Sequence, residues 1–216
     1  MVVTGFQGAT KDGRITTIGR GGSDVSAAIL GAALNATRVD IFTDVDGIMT
    51  ADPRLVPHAR CLKTISYEEL ANMAVNGARV IHPRAVEIAK QANLTMRIRA
   101  TYQQPTELGT LVTNHAASVK HYRSVTGIAH QTDLTQFSVS TDKVSSAEIF
   151  QLLATHQLSI DFINISNHQV VFKLVNGDAP LAENVFKKSE ITYQVVSDCA
   201  KVAVVGAGIS GTPGIT

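Results

Sequence analysis

No charge of one sign dominates this sequence: 19 lysines and arginines stand against 18 aspartates and glutamates, a net charge of +1 with histidine neutral. So balanced a chain argues against nucleic acid or an anionic membrane as its main partner. Long hydrophobic runs are missing too, and no segment reads as a membrane span. The opening "MVVTGFQG" has neither the basic start nor the long apolar core of a signal peptide. Cysteine is scarce: Cys61 and Cys199 lie far apart in no metal-binding or redox spacing, which reads as two buried thiols in a reducing compartment. These absences together predict a cytoplasmic protein. The common phosphate loops are also lacking, since neither the lysine-bearing Walker spacing nor the dinucleotide fingerprint occurs.

What is present is an ordinary globular composition. The chain has 216 residues, 44% hydrophobic and 17% charged, enough for one or two domains with a real core. Residues 1–112 alternate strands and helices. A strand is expected at Val2, Val3 and Thr4, a helix from Asp24 carrying Ala27, Ala28, Ile29, Ala32 and Ala33, and a strand on "VDIFTD". Helices follow on "SYEELANMAVNGA" and on "HPRAVEIAKQAN". Pro83 suits the first position of the latter, with Val86, Ala89 and Asn93 along one side. Strands "TMRIRAT" and "GTLV" close this region, and the alternation argues for an α/β layer with a largely parallel sheet. The polar, aperiodic "TNHAASVKHYRS" reads as a linker.

The second region, about 125–200, reads strand, helix, strand, strand, helix, strand on "LTQFSVST", "SSAEIFQLLATHQ", "SIDFINIS", "QVVFKLVN", "APLAENVFKK" and "ITYQVVSD". Asn167-His168 suits a tight turn between the middle strands, and the order is that of the ferredoxin-like split βαβ unit. A separate strand, "KVAVVGAG", then opens a further unit ahead of "ISGTPGIT". Both ends read as internal to a longer polypeptide.

Two stretches carry chemistry. "GRGGSD" (Gly19 to Asp24) joins three glycines to a helix start, and glycine lets backbone N–H groups approach an anion at the positive end of the helix dipole. Arg20 adds a planar fork suited to carboxylate or phosphate, whereas Asp24 repels phosphate unless a lysine or Mg²⁺ neutralises it. A plain helix entry capped by Ser23 or Asp24 fits the same residues. "TDVDGIMTADPR" (Thr43 to Arg54) leaves the end of a buried strand, where ligands of open α/β sheets bind. Its glycine comes too early for a calcium loop and no glutamate closes it.

Taken in order, "TTIGRGGSD", "TDVDGIMTADPR", "SYEELANMAVNGARVIHPRAVEIA", "GTLV", "VTGIAH", the βαββαβ unit and "AKVAVVGAG" resemble the aspartate kinases of the amino-acid-kinase superfamily with their paired ACT regulatory domains. The resemblance covers essentially the whole chain. It implies the C-terminal half of an amino-acid-kinase three-layer sandwich (1–118), an ACT domain (119–200) and the start of a second ACT unit (201–216). It implies phosphoryl transfer from ATP with Mg²⁺ to the β-carboxylate of L-aspartate, regulation by lysine or threonine, and a homodimer through ACT units. By resemblance, Phe6, Arg20 and Gly21 seat aspartate, Asp24 organises the transfer, and Thr43, Asp44, Met49, Arg54 and Arg79 hold nucleotide. Arg79 stands where many members have lysine. Weaker matches place an effector at Asp142, Lys143, Val144, Ser145 and Ser146, with Ile160, Asp161 and Phe162 at the next strand. The family's N-terminal lysine-phenylalanine-glycine-glycine motif is absent, and only Lys11 and Lys63 precede residue 90. Losing a preorganised cation typically costs on the order of 10²–10³ in rate, so this chain alone is expected to be inactive or nearly so. Two alternatives remain: a non-catalytic amino-acid-sensing ACT module, and another superfamily kinase acting on glutamate or a nucleotide, which "GRGGSD" joined to ACT units disfavours.

Overall fold

The structure is a computed structural model that describes residues 1–78, 80–104, 106, 108–114, 125–206 and 209. It is mixed α/β and divides into two compact units, Met1–His130 together with the described residues from Val202 onward, and Gln131–Lys201. Among the described residues no helix is long and apolar enough to cross a membrane.

The first unit opens with a hairpin of β1 (Gln7–Ala9) and β2 (Ile15–Thr17), then runs α1 (Gly22–Ala33), β3 (Val39–Thr43), β4 (Thr64–Ile65), α2 (Tyr67–Val75), α3 (Pro83–Gln91), β5 (Met96–Ala100) and β6 (Thr110–Val112). The sheet order is β3-β5-β6-β4. β3 pairs with β5, and β4 with β6, in parallel, as the alternation of strands and helices leads one to expect. β5 and β6 are antiparallel, the connection from Ala100 to Thr110 being too short for a crossover helix. Period-two alternation sorts the sheet's faces. Ile41, Met96 and Ile98 enter a core with Val25 and Ala28 of α1, Leu70 and Met73 of α2, and Ala85, Val86 and Ala89 of α3. Asp40 and Arg97, cross-strand partners in register, form an ion pair away from that core. The small residues of α1 let it lie close to the sheet: a Cβ on Gly31 would stand 2.3 Å from the Val39 side chain.

The helices start where the sequence chemistry allows. Ser66 caps α2 through a reciprocal box with Glu69, and Pro83 is the first residue of α3 behind His82. Tyr67, 2% exposed, donates its phenol to the Leu94 carbonyl and so ties α2 to the approach to β5. Burial pushes its pKa up to about 12.

The second unit shows the expected βαββαβ order: β7 (Gly127–Ser140), α4 (Ser146–Thr155), β8 (Asp161–Ile165), β9 (Gln169–Val175), α5 (Ala179–Lys188) and β10 (Tyr193–Val205), with sheet order β10-β7-β9-β8. β9 runs antiparallel to both β7 and β8. Its core is aromatic: Phe137 stacks on Phe172 at 5.6 Å, and Phe186 and Tyr193 pack against Phe137. β8, an edge strand, is exposed at every residue.

Several expectations change. Val2 and Val3 are exposed and outside any strand, since two apolar residues without a pairing partner do not make one. α1 begins two residues before Asp24 and exposes Ile29, its buried face being Gly22, Val25, Ala28 and Gly31 instead. Asn93 lies beyond α3 with φ 49°, in the left-handed turn that ends the helix, and not along its side. Tyr193–Asp198 of the first segment and Lys201–Val205 of the second belong to one strand, β10, which passes Asp198 at φ 55° without breaking. Cys61 is exposed and Cys199 half-exposed, so neither thiol is buried. Most of the expected linker, residues 115–124, lies outside the described residues.

Candidate functional site

Topology brings four chain ends to one rim of the first unit. α1 reaches β3, and α3 reaches β5, through short connections, so each helix runs back against the strand that follows it. Because β3 and β5 are parallel, the N-termini of α1 and α3 lie beside the C-terminal ends of β3 and β5. Helix N-termini and strand C-termini are where an α/β layer holds anions.

Gly21 occupies the N-cap of α1 at φ 76° with no side-chain cap; neither Ser23 nor Asp24 takes that role. A Cβ at Gly21 would lie 2.8 Å from the His82 ring, so glycine is required there twice over, by backbone angle and by contact. Half-buried Asp24 accepts a hydrogen bond from the His82 backbone N–H at 3.3 Å, which joins the start of α1 to that of α3. The His82 Nδ1 in turn accepts from the Arg84 N–H at 3.1 Å, making the histidine a helix cap. Phe6 stands beside the same turn in a left-handed conformation, φ 68°; its N–H donates to Ser26 Oγ at 3.2 Å and its carbonyl accepts from Ile18. Ser26 Oγ donates to the Gly22 carbonyl, completing a brace between "TGF" and the first turn of α1. Arg20 is exposed, and among the described residues it has no ion-pair partner. The structure therefore brings Phe6, Arg20, Gly21 and Asp24 together.

Thr43 ends β3, its Oγ donating to Asp44 and its carbonyl accepting from the Thr101 N–H and hydroxyl. Beyond it the loop is pinned from below. Buried Thr110 Oγ accepts from the Ile48 N–H at 2.8 Å and donates to the Leu62 carbonyl at 2.6 Å, while Met49 bridges to Cys61. Arg54 is the outermost member of the loop. It meets Asp52 side-on, Nε to Oδ1 at 3.0 Å and Nη2 to Oδ2 at 2.7 Å, and these bonds hold the Asp52 carboxyl down at about 2. Arg79 lies outside the described residues. Among the described residues no three histidine, cysteine, aspartate or glutamate side chains cluster to hold a metal ion.

In the second unit, a cavity of about 410 Å³ lies between the β7–α4 loop and the approach to β10, lined by Asp142, Lys143, Val144, Glu148 and Ser189 to Thr192. Ser145 is spent on capping α4, where it meets Glu148 in a reciprocal box ahead of Ser146. Ile160, Asp161 and Phe162 are not part of this cavity. They lie at the start of β8, where Asp161 pairs with Lys201 and Lys173 sits 4.5 Å over the Phe162 ring. The two groups of effector candidates are thus at separate places within the unit.

Residues 1–100 match the sequence model of the amino acid kinase family. The chain is 47% identical over 224 residues to aspartokinase 1 of Bacillus subtilis strain 168, using 100% of this chain and 55% of that one. The chain is related to the aspartokinases. It spans about half the length of the relatives it matches. The fold agrees: E. coli aspartokinase III in complex with aspartate and ADP (R-state) superposes at TM-score 0.79 with 34% identity, covering 97% of this chain and 49% of that one. The same enzyme with lysine and aspartate (T-state) gives 0.77 at 34% identity, covering 95% and 48%.

Three features of this aspartokinase-related chain escaped the sequence reading. His82 is the residue on which Gly21 and Asp24 converge, and nothing in its local spacing marks a contact 58 residues away in the chain. Asp52 holds Arg54, which the i,i+2 spacing in "DPR" signals in retrospect. Arg99 is 5% exposed, lies 5.6 Å from the Phe42 ring and donates to the Gln103 and Gln104 carbonyls, fixing the turn that supports Thr101.

Proposed function

We propose that this chain is part of an aspartate kinase, in which a β-carboxylate oxygen of L-aspartate attacks the γ-phosphorus of ATP, ADP leaves, and 4-phospho-L-aspartate forms as the first step toward lysine, threonine and methionine. The observation that carries the reading is the convergence of Phe6, Gly21, Asp24 and His82 at the rim from which the Thr43–Arg54 loop leaves β3. Phosphoryl transfer asks mainly for positioning and charge neutralisation, which a glycine turn at a helix N-terminus, an exposed arginine and a pinned loop supply. In this reading Phe6, Arg20 and Gly21 seat aspartate, Asp24 organises the transfer, and Thr43, Asp44, Met49, Arg54 and Arg79 hold ATP. Mg²⁺ would come with the nucleotide and would supply charge neutralisation on its phosphates.

Residues 1–118 then form the nucleotide side of the kinase domain, 119–200 an ACT regulatory domain and 201–216 the beginning of a second. Lysine or threonine is the effector, and the chain dimerises through its ACT units. The E. coli enzyme of similar fold is described with aspartate and ADP, and with lysine and aspartate, which supports both halves of the proposal. The cavity beside Asp142, Lys143 and Val144 favours a second reading, an amino-acid-sensing module without catalysis.

One assay separates these. The chain is incubated with ATP, Mg²⁺, aspartate and hydroxylamine, which converts an acyl phosphate to a hydroxamate. Hydroxamate no higher than a no-protein control is the expected result, because the lysine-bearing motif of the family is missing; ADP binding in the same preparation then supports the kinase reading over the sensing module. Hydroxamate well above control overturns the expected inactivity.

A further inference from the structure

We propose that Asp52 is a positioning residue: it sets the orientation of Arg54, so that the loop presents phosphate with an arginine edge fixed before the ligand arrives. The inference rests on reading Thr43–Arg54 as the nucleotide loop.

The geometry is specific. Three side-chain contacts of 3.0, 3.2 and 2.7 Å join the Arg54 Nε and Nη2 to both Asp52 oxygens, and the Arg54 N–H adds a fourth bond to Oδ1 at 2.9 Å. The carboxylate is the anchor, since its side chain is 15% exposed and the guanidinium 86%. Pro53 between them fixes one backbone angle, and the Asp52 carbonyl accepts from the Leu55 and Val56 N–H groups, which closes a tight turn. A guanidinium held along its Nε–Nη2 edge keeps its Nη1 hydrogens and one on Nη2 free, and these make a second edge suited to phosphate.

The anchor is itself held. The first residues of β7 lie against the loop: the Ile128 N–H donates to the Thr50 carbonyl at 2.8 Å, and a Cβ on Gly127 would stand 3.1 Å from that same oxygen. His130 Nε2 is 3.9 Å from Asp52 Oδ2, the oxygen that also accepts from Arg54 Nη2. Asp52 therefore sits between the start of β7 and the arginine it holds, and the arginine, already paired, offers hydrogen bonds more than net charge.

The test is a double-mutant cycle read by calorimetric titration of ADP, with Mg²⁺, into the whole chain. Asp52→Asn is expected to weaken ADP about five- to tenfold, the scale of one lost charge-assisted contact, while leaving adenosine unaffected. In an Arg54→Met background the same change is expected to matter less than about twofold, because Asp52 acts through Arg54. Tighter ADP binding by D52N, an equal loss in both backgrounds, or a parallel loss for adenosine overturns the proposal. ADP binding absent from the unsubstituted chain overturns the nucleotide-loop reading and the inference with it. Should D52N shift the urea midpoint, Asp52→Glu takes its place; it keeps the pair but lengthens the arm, and an unchanged ADP affinity there counts against positioning.

Discussion

Gly21 is where backbone and ligand chemistry meet most tightly. Substitution by alanine forces an L-residue into φ 76° and drives a methyl into His82. Gly21→Ala is expected to destabilise the first unit by about 1–2 kcal/mol from the backbone alone, visible as a lower urea midpoint. A midpoint unchanged from that of the native chain would show that the turn relaxes. Acid is a second lever on single residues. Hydrogen bonds from Arg54 hold the Asp52 carboxyl at about 2, the ion-paired Lys201 lowers Asp161, and Ser145 lowers Glu148. A carboxyl depressed in the folded state adds stability that is complete above its unfolded pKa and fades as pH falls through the folded value. Stability is therefore expected to be flat from neutrality down to about pH 5 and to drop below about pH 4. Replacing Asp52 by asparagine should flatten the acid limb, which circular dichroism against pH would reveal.

At the scale of elements, each unit carries one helix started by a reciprocal serine–glutamate box, Ser66 with Glu69 in α2 and Ser145 with Glu148 in α4. Ser66→Ala and Ser145→Ala are each expected to cost about 1 kcal/mol, the first speeding amide exchange most in α2 and the second most in α4. Exchange that rises equally in both helices after either change would contradict this. Strong periodic signals made such elements legible: "SYEEL" and "HPRAV" announce their caps, and the aromatic strands of the second unit read correctly in order. What the sequence hid was short or long-range. β1, β2 and β4 have only two or three residues each, too few for a period to register. Val2 and Val3 look like strand because burial propensity is local, whereas pairing depends on a partner elsewhere. The rim itself was half visible: "GRGGSD" and "TDVDG" marked the anion-binding turns, but His82 under Gly21 and Thr110 under Ile48 are contacts that only folding brings together.

At the scale of the molecule, both edges of the β10-β7-β9-β8 sheet carry exposed apolar side chains: Phe162, Ile163 and Ile165 on β8, Val196 and Val204 on β10. Edge strands of this kind pair with a further strand unless something covers them. The chain is expected to sediment as a dimer, and Ile163→Lys or Val196→Lys to shift it toward monomer according to which edge is used. A monomer at every working concentration would remove the dimer from the proposal.

The missing tryptophan gives the buried phenol of Tyr67 an optical use. With no indole to mask it, the near-ultraviolet band of the chain belongs to tyrosine. Burial holds the Tyr67 phenol protonated until about 12. A phenol raised in the folded state contributes stability below pH 10 that is lost as pH climbs through 12. The phenolate that appears near 12 in an alkaline titration thus times the separation of α2 from the approach to β5, a clock for the first unit that needs no added dye.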